Sequence, residues 1–439
     1  MKRKITAKLS EWKNSSRRKP LLLYGARQVG KTYVINEFGR NNYENVIYVN
    51  FEINLTVAAD FNNDISPENI VNCLEIFYKQ KIVPGKTLIF FDEVQSCERA
   101  LTSLKYFCES APEYHLIAAG SLLGVALNRE KFSFPVGKVN LFHLYSMDFE
   151  EFLWAVGREQ LVDEIRGCYT ENNSLAPMLH DAALRLYKEY LIVGGMPAVV
   201  NEYCENQRLL DAANAQELIV NTYIADMAKY ATPAETTKIM AAFQSIPAQL
   251  AKDNRKFQYK VIHRGGSASI FGASIDWLCF TGLVVKCNKV EHGYMPLAAY
   301  QDLSSFKLYM GDVGLLTLKS GMSTHDILTP TETHNTFIGA IVENYVADQL
   351  RVNWSELYYW DSAHTAEIDF IIQGQDEIIP VEVKSSFHTR SRSLSVYKEK
   401  YAPPYAIRIS AKNFGFENNI KSVPLYAVFC IMNRDTSVT

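Results

Sequence analysis

Apolar positions in the first third of the chain come in short runs separated by longer, more polar stretches. The runs at 21–24, 46–51, 87–91 and 116–119 read as buried strands, and the stretches between them read as helices. That alternation predicts a parallel sheet covered by helices. From about Asp148 to Tyr230 the spacing turns helical, interrupted at Gly194-Gly195-Met196-Pro197. A third region, from about Thr232 to Leu318, holds a helical segment at 235–251, a break at Gly265-Gly266-Ser267, a second helical segment at 268–281 and a strand-like run at 283–290. Phe271, Ile275, Leu278 and Cys279 fall at helical spacing and predict a small core. The last region starts near Thr331. A helix over 337–350 is expected to bury Ile338, Ile341, Val342 and Tyr345, with strands following at 357–360, 368–372, 378–383, 405–409 and 425–429. The tail, 434–439, is read as disordered.

The chain has 439 residues, enough for two or three domains, and 48% hydrophobic content lets each bury a core. A net charge of -3 gives no global sign of nucleic-acid binding, so any such surface must be local. The densest basic stretch holds Lys2, Arg3, Lys4, Lys8, Lys13, Arg17, Arg18 and Lys19. No window is apolar for long enough to span a membrane, and the basic start has no signal-peptide core after it. A cytoplasmic protein with no membrane partner is the expectation. The 8 cysteines form no CxxC pair, so neither a zinc ribbon nor a redox dithiol is indicated, and reduced thiols are the expectation.

Gly25-Ala26-Arg27-Gln28-Val29-Gly30-Lys31-Thr32 fits GxxxxGK[ST], between an apolar strand and a helix that starts at about Lys31. Glycines let backbone N–H groups turn inward around phosphates, and the helix N-terminus adds positive potential. In this reading Lys31 reaches the outer phosphates of ATP and the Thr32 hydroxyl binds Mg2+. The strand at 87–91 then delivers Asp92 to the Mg2+ shell, and Glu93 is placed to polarise the attacking water. Ser121, after the next strand, lies near the γ-phosphate or is a plain turn serine. Arg129 and Arg99 are candidates for an arginine finger, each also readable as a surface residue.

A second constellation lies near the carboxyl terminus. Asp369 sits on an alternating strand, and Glu382 and Lys384 share one face of the next. Glu343 lies on the preceding helix. Two carboxylates on neighbouring strands hold Mg2+ through hard oxygens, and an adjacent lysine activates water or stabilises phosphorane charge. Glu-x-Lys alone is ordinary on a solvated strand; the upstream aspartate makes the pattern that of a metal-dependent phosphodiesterase.

With these residues in place the sequence resembles the bacterial and archaeal ATP-binding proteins that join an AAA-type ATPase domain to a DUF4143 domain. The matching stretches are the loop 25–32, Phe91-Asp92-Glu93-Val94-Gln95, Gly120-Ser121, the 134–138 segment, Gly194-Gly195-Met196-Pro197, the 306–315 segment, Gly339-Ala340-Ile341-Val342-Glu343-Asn344 and the 367–384 constellation. The resemblance implies an α/β protein in four parts. These are an additional-strand P-loop ATPase core over 1–150, a helical extension over 151–231, a winged-helix-like domain over 232–320 and a PD-(D/E)XK nuclease-like domain over 331–432. It gives Lys31, Thr32, Asp92 and Glu93 roles toward ATP and Mg2+. Glu343, Asp369, Glu382 and Lys384 take the nuclease positions. The 268–281 helix carries no Arg, Lys, Asn or Gln for base edges, so packing or domain coupling is its expected role.

Two readings of function follow. In the first, an ATPase couples nucleotide state to a metal-dependent nuclease-like domain acting on DNA. In the second, the chain is an ATP-dependent switch or a DNA- or protein-binding module with a catalytically silent nuclease fold. An arginine finger supplied in trans requires a homo-oligomer or another protein partner.

Overall fold

The computed structural model describes residues 1–61, 63–121, 135, 137–329, 335–362, 366–385 and 392–432. Arg129 and the 434–439 tail therefore lie outside the described residues. The chain divides into two compact units, 2–145 with 280–282 and the remainder.

In the first unit β1 (Leu21–Tyr24), β2 (Asn45–Asn50), β3 (Thr87–Asp92), β4 (His115–Gly120) and β5 (Asn140–His143) form a parallel sheet in the order β2-β3-β4-β1-β5. β3 and β4 are buried throughout, as expected of apolar runs covered on both faces. The four strands read from the sequence are present, and β5 joins them. The basic start also forms a helix, Ile5–Asn14, which buries Ile5, Leu9 and Trp12 along one stripe.

Several cations of that start are spent on backbone carbonyls. Arg3 is buried and donates to Val29 O and Tyr145 O, both at 2.8 Å. Lys13 donates to Asn42 O, Arg18 to Pro112 O at 3.0 Å and Lys19 to Gly137 O at 2.7 Å. These four tie the unit together rather than forming a free basic face.

The second unit opens with the helices Phe149–Ala155, Glu159–Glu171, Pro177–Val193, Pro197–Asn206 and Leu209–Tyr230. The helix Pro233–Leu250 follows, started by a capping box between Thr232 and Glu235. After Tyr259–Ile262 and Ala268–Phe280 comes an antiparallel hairpin of β6 (Val284–Val290) and β7 (Gln301–Met310). Three helices and a hairpin thus follow one another in this segment. Phe271, Ile275 and Leu278 are buried as expected, whereas Cys279 is only half-buried.

The hairpin does not end there. β6 pairs in parallel with β8 (Leu357–Asp361), which continues through β9 (Glu367–Gln373), β10 (Ile378–Val383), β11 (Ala406–Ser410), β12 (Gly415–Glu417) and β13 (Ile420–Pro424). The sheet order is β12-β13-β11-β10-β9-β8-β6-β7, so the middle and carboxyl-terminal segments share one sheet. The helix Asn335–Leu350 packs on it and buries Ile338, Ile341, Val342 and Tyr345.

One expected strand is corrected. Residues 425–429 lie in a 3-10 helix, Leu425–Cys430, whose side chains are all buried. A short apolar run bounded by Pro424 has the same pattern whether it is extended or helical, and burial on every side erases periodicity. Tyr345 donates to its first carbonyl, Leu425 O, at 2.9 Å.

Candidate functional site

β1 leads directly into the loop 25–32. Gly25 has φ +152°, and a Cβ there would meet Leu144 O at 2.1 Å, so only glycine fits. Gln28 (φ 62°) and Gly30 (φ 92°) reverse the chain into the helix Lys31–Asn42, whose first turn carries no acidic residue. That leaves the positive end of the helix facing the loop without an internal anion. Lys31 is buried, and its ammonium donates to Gly25 O at 2.9 Å and Ala26 O at 2.8 Å. Burial pulls its pKa down to about 8, against the opposing pull of Glu93 and Asp92. Arg27 pairs with Glu52 at 3.7 Å, and Val29 O is the carbonyl held by Arg3.

Thr32 Oγ1 donates to Asp92 Oδ2 at 2.8 Å. The same oxygen accepts from Tyr48 OH at 3.0 Å, and Glu93 N donates to Asp92 Oδ1 at 3.1 Å. Glu93 sits at φ 51°, a left-handed position at the strand end, and Gln95 Nε2 donates to its carboxylate. Burial raises the Glu93 carboxyl above its ordinary range. Because β4 lies between β1 and β3, with Tyr24 opposite Gly120, Ser121 emerges beside both the loop and Asp92. Its Oγ is buried and has no hydrogen-bond partner among the described residues. A hydroxyl left so costs about 1–3 kcal/mol.

These residues fit Mg2+ and a nucleotide. The cradle excludes a Cβ at Gly25, the helix end lacks an anion, a hydroxyl and a carboxylate meet at Thr32 and Asp92, and Ser121 offers an unsatisfied hydroxyl. Of the candidate fingers, Arg99 donates from Nε to Phe61 O at 2.6 Å.

In the carboxyl-terminal cluster β9 and β10 are antiparallel, with Val381 opposite Phe370. One step on, that register sets Glu382 opposite Asp369 on one face. Asp369 Oδ2 accepts from Val383 N at 2.8 Å. Glu382 is buried, with Oε1 3.2 Å from Lys384 Nζ and Oε2 3.6 Å from Arg408 Nε. Glu343 is buried too. Its Oε1 accepts from Lys307 Nζ at 2.9 Å and Tyr309 OH at 2.5 Å, and its Oε2 is paired with Arg255. Lys307 also reaches Glu367 at 2.6 Å.

The structure thus brings Asp369, Glu382 and Lys384 together, but it does not gather Glu343 with them as a ligand set. Among the described residues no three His, Cys, Asp or Glu side chains are arranged to hold a metal ion. The physical reason is that protein cations already face Glu343 and Glu382. As arranged, the expected metal ligands Glu343, Asp369 and Glu382 do not fit a divalent cation.

Three family descriptions match the chain: an AAA domain, AAA_14, over residues 17–153; a domain of unknown function, DUF8612, over 184–326; and a domain of unknown function, DUF4143, over 338–428. The chain joins an AAA domain to a DUF4143 domain. No protein with a curated description matches it. Among solved structures it is similar to a Walker-type ATPase of Pyrococcus abyssi, at 16% identity and TM-score 0.43, covering 72% of this chain and 94% of that one. It is also similar to the Aeropyrum pernix Orc1 protein in complex with DNA, at 13% identity and TM-score 0.29, covering 72% and 90%. AMPPCP-bound DnaA of Aquifex aeolicus is similar at 14% identity and TM-score 0.25, covering 62% and 84%. Likeness of this degree says nothing of what the present chain binds.

Around the AAA domain site, sequence reasoning missed Tyr48 and Asn50. Their signal was alternation on β2: both face one way, and Asn50 is level with Asp92. Beside the DUF4143 segment it missed Lys307, Tyr309 and Arg255, which lie in the stretch that matches DUF8612. Two of the stretches shared with relatives prove structural. Asp312 caps the helix Val313–Ser320 through Leu315 N at 3.1 Å and accepts from Gly195 N at 2.8 Å. A Cβ at Gly194 would lie 2.2 Å from Asp312 Oδ1, and one at Gly195 1.9 Å from Met147 O. Gly194-Gly195 is therefore a close-packed turn. Among the described residues no helix is long and apolar enough to cross a membrane, and all eight cysteines are free.

Proposed function

We propose that this protein is a magnesium-dependent ATPase whose nucleotide state governs its nuclease-like carboxyl-terminal domain, and that this domain acts on DNA. The AAA domain match supports the first half. The backbone N–H groups of 25–32 and Lys31 hold the phosphates, and Thr32 with Asp92 holds Mg2+. When bound, Mg2+ neutralises charge that develops on the transferred phosphoryl group. Glu93, its carboxyl raised by burial, takes the proton of the attacking water. Ser121 orients that water or a terminal phosphate oxygen. The observation that carries this reading is the contact of Thr32 with Asp92 beside the Ser121 hydroxyl, which has no partner among the described residues. Phosphate release from ATP and Mg2+ tests it, with Lys31→Ala and Glu93→Gln beside the wild type. Turnover that persists in both variants sinks it.

Action on DNA is supported by Asp369, Glu382 and Lys384 sharing one face of two paired strands. Circular and linear DNA incubated with the protein, with and without ATP and with and without Mn2+, tests it: cutting by the wild type that Asp369→Ala abolishes supports it. A specific observation favours a second reading, a switch or binding module with a silent nuclease fold: Glu343 Oε1 accepts from Lys307 and Tyr309, and the carboxylate is also ion-paired with Arg255. Retained DNA binding with no cutting selects it. A trans-acting arginine, and with it a homo-oligomer or protein partner, remains a proposal to be tested by turnover against protein concentration.

A further inference from the structure

The two acids at the end of β3 are not held equally. Asp92 meets three donors, the Thr32 and Tyr48 hydroxyls and the Glu93 amide. Among the described residues the Glu93 carboxylate is hydrogen-bonded by one side chain alone, Gln95, whose Nε2 donates to Oε2. Nearby cations are turned to other groups: Lys31 to the carbonyls of Gly25 and Ala26, and Arg27 to Glu52 at 3.7 Å. The backbone brings Gln95 within reach. Glu93 leaves the strand at φ 51°, and the chain makes one tight turn, Val94–Ser96, closed by Ser96 N donating to Glu93 O at 2.9 Å. Val94 and Cys97 are buried and pin this turn to the core. As a source of stability Gln95 is a poor choice. A carboxylate only accepts, so the amide presents Nε2 to it and turns Oε1 away. That oxygen is buried and has no hydrogen-bond partner among the described residues, which costs the fold rather than helping it.

We propose that Gln95 is a positioning residue for ATP turnover, holding Glu93 Oε2 so that Oε1 stays directed at the attacking water. The inference rests on the ATPase reading and adds to it a residue that acts only through Glu93. A glutamate side chain hops among several staggered rotamers unless something holds it. With Oε2 fixed on a turn that Val94 pins, the carboxylate is confined to one of them. Water attack needs that confinement, since a base that points elsewhere for most of the time takes no proton. Among the described residues Gln95 hydrogen-bonds neither the loop 25–32 nor Asp92, so nucleotide binding should not depend on it. The stretch Asp92-Glu93-Val94-Gln95 then works as one unit, in which Val94 anchors the turn and Gln95 holds the base.

The test compares Gln95→Met with the wild type, both as the full chain. This change keeps the length of the side chain and removes both polar atoms. The denaturant midpoint of the free protein should stay or rise. ATP affinity by filter binding should stay within about twofold, and kcat should fall about tenfold or more at unchanged KM. In a Glu93→Gln background the same change should add no further loss, because the carboxylate it holds is gone. A merely structural residue would not give that non-additivity. Gln95→Ala serves if Gln95→Met does not fold. Unchanged kcat, weaker ATP binding, a lower midpoint, or a loss that persists in the Glu93→Gln background each overturns the proposal. Turnover that survives Glu93→Gln removes the role of Glu93 and the proposal together. Turnover lost in Glu93→Gln and kept in Gln95→Met removes the proposal alone.

Discussion

Two acidic sites lie at strand ends in this chain, and they treat their charge oppositely. Asp92, buried in the AAA domain, is met by the Thr32 and Tyr48 hydroxyls and the Glu93 amide, all neutral donors. The nearby cation, Lys31, is turned onto the carbonyls of Gly25 and Ala26. Glu343 and Glu382 are buried to the same degree, but Lys307, Arg255, Lys384 and Arg408 face them. Neutral donors orient a carboxylate and leave its charge for a ligand, whereas internal cations consume it. The first carboxylate meets only neutral donors, and the second site is already neutralised.

The largest effect should come from breaking the neutralised side. Lys307→Met leaves the buried Glu343 and the partly exposed Glu367 against an apolar side chain, and should cost about 3–5 kcal/mol in denaturant unfolding. Adding Glu343→Gln should return part of that loss. A Lys307→Met protein as stable as the wild type would mean the carboxylates are not charged there. Next in size is the poised side. Lys31→Ala and Glu93→Gln should each lower ATP turnover about 10²–10³-fold. Glu93→Gln should still bind ATP in a filter or fluorescence assay, because the proposed role of Glu93 is toward the water and not the phosphates.

A smaller effect sharpens the comparison by pH. Lys31 has its pKa lowered from 10.5 to about 8 by burial, so the free protein holds it neutral above that value. A bound polyphosphate favours the ammonium, so binding takes up a proton above about pH 8. Affinity should then fall by up to about tenfold per pH unit toward pH 10. Calorimetry near pH 9 in two buffers of different ionisation heat reads this uptake directly, and no buffer dependence would refute it. The sign for folding is opposite. The unfolded chain binds the extra proton between about 8 and 10.5, so this group's contribution to stability rises with pH across that window.

How legible these sites were follows from where their partners come from. Lys31, Thr32, Asp92 and Ser121 belong to loops that leave neighbouring parallel strands at one edge, and local spacing encodes that geometry. Asp369, Glu382 and Lys384 were legible for the same reason, through period-two alternation on two paired strands. The neutralising cations were not. Lys307 sits on β7, which was not foreseen as a strand, and it meets Glu343 only because β6 carries the hairpin into the carboxyl-terminal sheet through β8. Arg255 could not be paired from the sequence, because nothing local reports a partner 88 residues away, as the numbering of Arg255 and Glu343 shows. Residues 425–429 failed differently: an apolar run with burial on all sides carries no period to read.

The smallest expected effect separates function from stability most cleanly. A buried hydroxyl with no partner among the described residues gives them no hydrogen bond, so Ser121→Ala should leave the denaturation midpoint unchanged or raise it. The same substitution should lower ATP turnover by about tenfold, the low end of what one positioned group contributes. The two readouts must move apart. If Ser121→Ala destabilises the fold and spares turnover, the serine is a turn residue whose hydroxyl is satisfied by solvent. The poised character of the first site would then rest on Thr32 and Asp92 alone. If turnover falls while stability holds, the uncompensated hydroxyl is kept for the nucleotide. That is the same logic by which Asp92 keeps its charge and Glu343 does not.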